Sequence, residues 1–210
     1  EFTMSSAWTT LYLRCMNNLQ LMIDQAAEAN APHYVGVGKV LMALSLGLTT
    51  DTWESAPYAE ALKGSANLTP AFDSQEALYG QIDRLLTDAL VSLQATTSVF
   101  SPKTDDLIYG GNMGKWIKAA NALKARYNLH LLKKGGNYAA NALSTISAGF
   151  ASNSDDLQLA YNPVNKNLWH ITPALANNTG NLSITHAAYF IELLKSNNDP
   201  RLSILADKGA

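Results

Sequence analysis

The sequence has one cysteine, Cys15, in 210 residues. That excludes an internal disulfide framework and any metal site built on several thiolates. Cys15 lies among apolar residues at helical spacing and reads as a buried, inert thiol. Charge is scarce as well. Charged residues make up 15% of the chain and the net charge is -2, so the overall balance calls for neither nucleic acid nor an anionic membrane. No run reaches the roughly 18 consecutive apolar residues of a membrane-spanning helix. With 47% apolar residues, the chain has enough for one sizeable core or two small ones and is not disordered. A basic start, an apolar run and a cleavage site are lacking, and the sequence reads as an internal portion of a longer protein. Strand patterns are missing beyond a faint one at residues 106–109.

What is present is helical periodicity. Trp8, Leu11, Tyr12, Cys15, Leu19, Met22, Ile23 and Ala26 recur at spacings of three and four over residues 4–29, with polar residues opposite. Asn30-Ala31-Pro32 reads as the stop. Residues 34–49 are apolar nearly all round, as in a helix inside a bundle, where Gly36, Gly38 and Gly47 suit close backbone approach. Asp73 and Glu76 stand in capping-box spacing ahead of a helix carrying Leu78, Ile82, Leu85, Leu86, Ala89 and Leu93. A longer helix is expected over 112–133, ended by Gly135, then a short one to 148 and a last one over 183–196. The pairs 4–49 and 112–148 form helix hairpins. The expectation is an all-α, tetratricopeptide-like domain with long irregular loops, single over 1–210 and loop-rich over 149–183.

Catalytic and metal signatures are absent. Gly110-Gly111-Asn112-Met113-Gly114-Lys115 has three residues between Gly110 and Gly114, and Trp116 stands where a phosphate loop needs a hydroxyl, so it reads as a turn opening a helix. The histidines at 33, 130, 170 and 186 have no metal-ligand spacing. The adjacent carboxylates Asp105-Asp106 and Asp155-Asp156 suit loop caps better than a glycosidase pair, which comes from separate positions. No cofactor is called for. From Leu107 to Ser154 there is no acidic residue, while Lys115, Lys118, Lys124, Arg126, Lys133 and Lys134 are basic. That stripe reads as a solvated face, with an acidic protein partner as the next choice.

Aromatics in irregular segments are the remaining signal. Trp53, Tyr58, Tyr161 and Trp169 lie near Asn162, Asn165, Asn167, Asn177 and Asn178. Rings stack on the C–H face of a sugar and amides bond its hydroxyls. Trp53, Tyr161, Asn162, Trp169 and Asn177 are therefore the candidate ligand contacts.

Four phrases then resemble a known family. TDTWESAPYAEALKG (50–64), LTPAFDSQEALYGQIDRLLTDAL (68–90), DLIYGGNMGKWIKAANALKARYNLHL (106–131) and SNNDPRL (196–202) occur in the order found in the SusD/RagB family. The resemblance implies a tetratricopeptide-like scaffold with long loops and a non-catalytic, cell-surface lipoprotein of the outer membrane. It implies capture of a glycan, or in some members a peptide, and delivery to a TonB-dependent transporter. Membrane attachment would come only through a lipid anchor that this chain lacks, since Cys15 lies mid-helix. Pro57, Tyr58, Lys115, Trp116, Asp199, Pro200 and Arg201 belong to family-wide phrases and are expected to anchor the scaffold. Asn112 replaces the family's usual aspartate. The rival classes are a helical protein–protein adaptor using the basic 112–133 helix and, more weakly, an α-helical glycosidase.

Overall fold

A computed structural model gives the fold and describes residues 5–164, 166–167 and 186–206. Among the described residues every regular element is helical, and the β-type pairing is a lone antiparallel bridge between Ala56 and Asp73. The all-α expectation holds. The chain divides into two compact units, Glu1–Leu159 and Ala160–Ala210.

The first unit opens with a long helical rod. It comprises α1 (Ser5–Thr9), a π-helical stretch (Thr10–Met16) and α2 (Asn17–Glu28), with helical dihedrals at both junctions. The Asn17 N–H donates to the Tyr12 carbonyl, five residues back, which widens the turn there. Ile23 and Ala26 are buried along the expected stripe, whereas Cys15 is only half-buried and Met16, outside that stripe, is buried in its place. Asn30 ends the rod in the left-handed region, at φ +52°. The Ala31 and Asn30 N–H groups donate back to the Ala26 and Ala27 carbonyls, a Schellman closure.

The first helix ends at the Asn30-Ala31-Pro32 stop, as the sequence suggested, and Pro32 itself starts the next one. It sits in the first turn of α3 (Pro32–Trp53), where its missing N–H has no partner to lose. α3 runs four residues past its expected end at 49, so Trp53 is the last residue of a helix and not part of a loop. Its Val40, Met42, Ala43 and Leu46 are fully buried. Each of its three neighbours crosses it at a glycine. A Cβ on Gly38 would lie 2.7 Å from Ile23 of α2, and one on Gly36 would lie 2.6 Å from Leu93 of α4 (Gln75–Leu93). A Cβ on Gly47 would overlap the phenol of Tyr127, on α5 (Met113–His130).

The cap of α4 differs from the expected one. Ser74, not Asp73, accepts from the Ala77 N–H, because the Asp73 carboxylate is engaged by the preceding loop. Asn112 caps α5 by accepting from the Lys115 N–H. After a 3-10 turn, Gly135 closes this segment at φ +78°, and α6 (Tyr138–Ile146) folds back along α5. Residues 106–109 form a turn, not a strand.

The second unit holds α7 (Ala188–Ser196) and α8 (Leu202–Leu205). The expected start of α7 at 183 falls outside the described residues. Asn198 repeats the closure seen at Asn30: φ is +48°, and the Asp199 and Asn198 N–H groups donate to the Leu194 and Lys195 carbonyls.

The crossings give a direct test. Gly47→Ala should destabilise by about 1–3 kcal/mol through overpacking, whereas Gly80→Ala, on α4 with open space at its Cβ position, should stabilise by about 0.5–1 kcal/mol. Urea unfolding followed by circular dichroism measures both, and equal effects at the two positions would contradict the close crossing.

Candidate functional site

The 54–73 segment is a closed loop with a tied neck. Ala56 and Asp73 exchange two backbone hydrogen bonds, and Asp73 Oδ2 accepts from the Tyr58 and Ala59 N–H groups at 2.8 Å each. Pro57 is buried and its carbonyl accepts from Tyr12 Oη at 2.8 Å. Tyr58 is half-buried against the core, and burial pushes its phenol up to about 12. A loop of this length thus keeps one geometry through backbone groups that its own aspartate satisfies.

The neck places an aromatic cluster beside the start of the rod. Trp8 lies at the centre. Tyr12 is 4.5 Å away by ring centroid, Trp53 meets Trp8 edge-on at 5.1 Å and 89°, and Phe72 stacks nearly parallel at 6.4 Å and 20°. Trp8 and Trp53 are half-buried, while Phe72 is 65% exposed. Of the candidate contacts, Trp53 joins this cluster. Trp8 and Phe72 were missed as surface rings because Trp8 fits the helix stripe and Phe72 follows Pro70 in an apparent helix lead-in. Their spacing in sequence carries no signal, since α3 and the loop neck bring them together.

Tyr161 and Asn162 lie in the second unit. Tyr161 is 52% exposed, and Asn162 Oδ1 accepts from the Val164 N–H in a local turn. Trp169 and Asn177, with Asn165 and Asn178, lie outside the described residues.

The other phrases resolve into structural roles. Asp106 accepts from the Ile108, Tyr109 and Gly111 N–H groups and from Trp116 Nε1 at 2.7 Å. Trp116 is fully buried, edge-on to Tyr109 at 5.1 Å, and Lys115 Nζ sits 5.9 Å from the Tyr109 ring centroid. Asp199 accepts from the backbone and guanidinium of Arg201, which hold its carboxyl down at about 2. Pro200, between them, is exposed. Asp105 accepts from Tyr34 Oη at 2.6 Å, and Asp155 pairs with Lys118 Nζ at 2.9 Å. Among the described residues no group of His, Cys, Asp and Glu has the arrangement of a metal site.

The basic stripe is partly neutralised: Lys118 pairs with Asp155, and Lys124 Nζ reaches Asp83 at 2.7 Å. At the far end of α3, Tyr79 Oη donates to Asp51 Oδ1 at 2.6 Å and accepts from His130 Nδ1 at 2.9 Å, joining three helix ends. Burial, then the Asp51 bond, raises the Tyr79 phenol, so it stays a neutral donor.

The first unit is thus a helical scaffold with aromatics presented at a tied loop. The SusD-like family, described as starch-binding and associating with the outer membrane, matches residues 1–210, and the chain belongs to it. A SusD/RagB family structure from Bacteroides thetaiotaomicron is 28% identical and superposes with a TM-score of 0.82, covering 95% of this chain and 41% of its own. A chitin-binding SusD homologue from Flavobacterium johnsoniae is 24% identical with a TM-score of 0.78, over 93% and 40% of the two chains. A SusD homologue from Bacteroides uniformis is 23% identical with a TM-score of 0.71, over 89% and 39%. The chain thus spans about two fifths of the length of the structures it resembles. No curated protein matches it.

The Asp106 turn has a measurable pH signature. Burial pushes its carboxyl up, but the indole and backbone N–H bonds outweigh that and hold it below its ordinary value. Its contribution is therefore present above the unfolded carboxylate pKa of about 3.9 and is lost as pH falls through the folded value. Asp106→Asn should cost about 1–3 kcal/mol at pH 7 by leaving N–H donors unmatched, and it should flatten the acid limb of the stability–pH curve. Chemical unfolding from pH 2 to 7 reads both, and an unchanged acid limb would refute the assignment.

Proposed function

We propose that the protein is a non-catalytic cell-surface binder that captures a glycan and passes it to a TonB-dependent outer-membrane transporter. The observation that carries this reading is the ledge formed by Trp8, Trp53 and Phe72. Phe72 offers an exposed ring face held by a neighbour, at little cost in side-chain order, and the flat apolar face of a pyranose matches such a ring. Family membership and the chitin-binding neighbour support a carbohydrate as the cargo. Tyr161, Asn162, Trp169 and Asn177 remain proposed ligand contacts in their own right. Attachment to the membrane would come through a lipid anchor on the family-length protein; no described helix is long and apolar enough to cross a bilayer.

The carboxylates favour binding over hydrolysis. Asp73, Asp105, Asp106 and Asp155 all accept hydrogen bonds from within the chain, which commits these four to holding its turns. The adaptor reading loses support where Lys118 and Lys124 are paired within the chain.

Calorimetry of the full chain against chitohexaose and maltohexaose tests the proposal. Trp53→Ala and Phe72→Ala should each weaken binding about tenfold, about 1.4 kcal/mol, with unchanged far-ultraviolet dichroism. Capture of neither sugar, or release of shorter products that disappears with one aspartate substitution, would refute it.

A further inference from the structure

A second surface lies on the same rod as the aromatic ledge. Between α2, the 54–73 loop and α4 there is a cavity of about 500 Å³, lined by Gln20, Asp24, Tyr58, Leu62, Lys63 and Gln81. That volume is within the range of small-molecule sites. Its wall is polar and its groups have bonding capacity to spare. Gln20 Nε2 donates to Asp24 Oδ1 at 2.8 Å, which orients the pair and leaves the glutamine oxygen and the second carboxylate oxygen open. Among the described residues the Gln81 amide, the Lys63 ammonium and the Tyr58 hydroxyl have no hydrogen-bond or ion-pair partner. Leu62 is held at φ +61°, a conformation that a leucine rarely adopts, and it forms part of the wall.

The cavity and the ledge both border the same rod and the same loop. Trp8 and Tyr12 are four residues apart on the rod, as are Gln20 and Asp24. Eight residues separate Tyr12 from Gln20, about 12 Å along the axis. Tyr12 also bonds the carbonyl of Pro57, whose neighbour Tyr58 lines the cavity. The rod and the tied loop neck therefore hold both surfaces in fixed register.

We infer that this cavity is a second sugar subsite, which takes one neutral pyranose unit of the glycan through its hydroxyls. This rests on the glycan reading above. Asp24 and Gln20 accept from adjacent hydroxyls, whereas Lys63, Gln81 and the Tyr58 phenol donate. One acidic and one basic group leave the cavity without net charge, so a neutral sugar fits and a sulfated or uronic one does not. An oligomer that rests one ring on the Phe72 ledge reaches the cavity only when it is long enough, and the second contact then adds as an intramolecular step.

The test compares chitobiose with chitohexaose, and maltose with maltohexaose, by calorimetry on the full chain. Gln81→Ala and Lys63→Ala should each weaken hexasaccharide binding about fivefold, the effect of one lost hydrogen bond, and should shrink the gain from disaccharide to hexasaccharide. Normal hexasaccharide binding by both variants, alongside weakened binding by Trp53→Ala, would overturn the second subsite and leave the glycan reading standing. No binding of any of the four sugars to the unaltered chain would overturn both. Titrating the unaltered protein with the hexasaccharide it binds gives an independent readout: the Gln81 side-chain amide resonance should move, and a stationary signal overturns the inference.

Discussion

Side chains from three helices fill the space left by glycines of α3, and the rest of the first unit depends on those contacts. Gly38, Gly36 and Gly47 each leave room for a side chain of α2, α4 and α5 respectively: Ile23, Leu93 and Tyr127. Apolar surface all round α3 then finds partners on every side, which is the condition for burying a helix with no polar face. The register of the crossings fixes where the neighbouring helices end. Trp53, at the last turn of α3, arrives beside Trp8 near the start of the rod for that reason.

Aspartates hold the irregular segments in the same way that glycines set the helices. Asp73 closes the neck of the 54–73 loop and Asp106 closes the turn before α5, each by accepting backbone N–H groups that no helix or sheet would satisfy. Asp106 also takes the indole N–H of the buried Trp116. The carboxylates that might have suggested acid–base chemistry are therefore committed to shape. A binder gains from this arrangement, because a loop held by internal bonds loses little conformational freedom when a ligand arrives.

The rod joins scaffold to surface. Met16 and Ile23 bury one side of it, while Trp8, Gln20 and Asp24 meet the loop and α4 on another. Its π-helical turn falls between Trp8 and Gln20, within the span that separates ledge from cavity. An aromatic ledge and a polar hollow thus lie along one rod, the first offering ring faces and the second polar groups.

Helix class, the burial of α3 and the role of Gly47 were legible because 3.6-residue periodicity and small residues in an apolar run are local signals. So was the turn at Gly110 that opens the next helix. The four phrases pointed to the family because their residues hold the turns and the core together. Helix ends were less legible: Pro32 looks the same ahead of a helix as after one, and Asp73 and Ser74 compete for one cap until the loop claims the aspartate. The candidate site was the least legible part. Trp53 stood out, but Trp8, Phe72 and Gln81 looked like ordinary stripe, lead-in and surface residues. The sequence by itself determined which segments are helical and which faces must be hidden, since both follow from spacing along the chain. Only the tertiary structure decided which rings and amides share a surface, since that depends on where α3 is crossed and how the loop neck is tied.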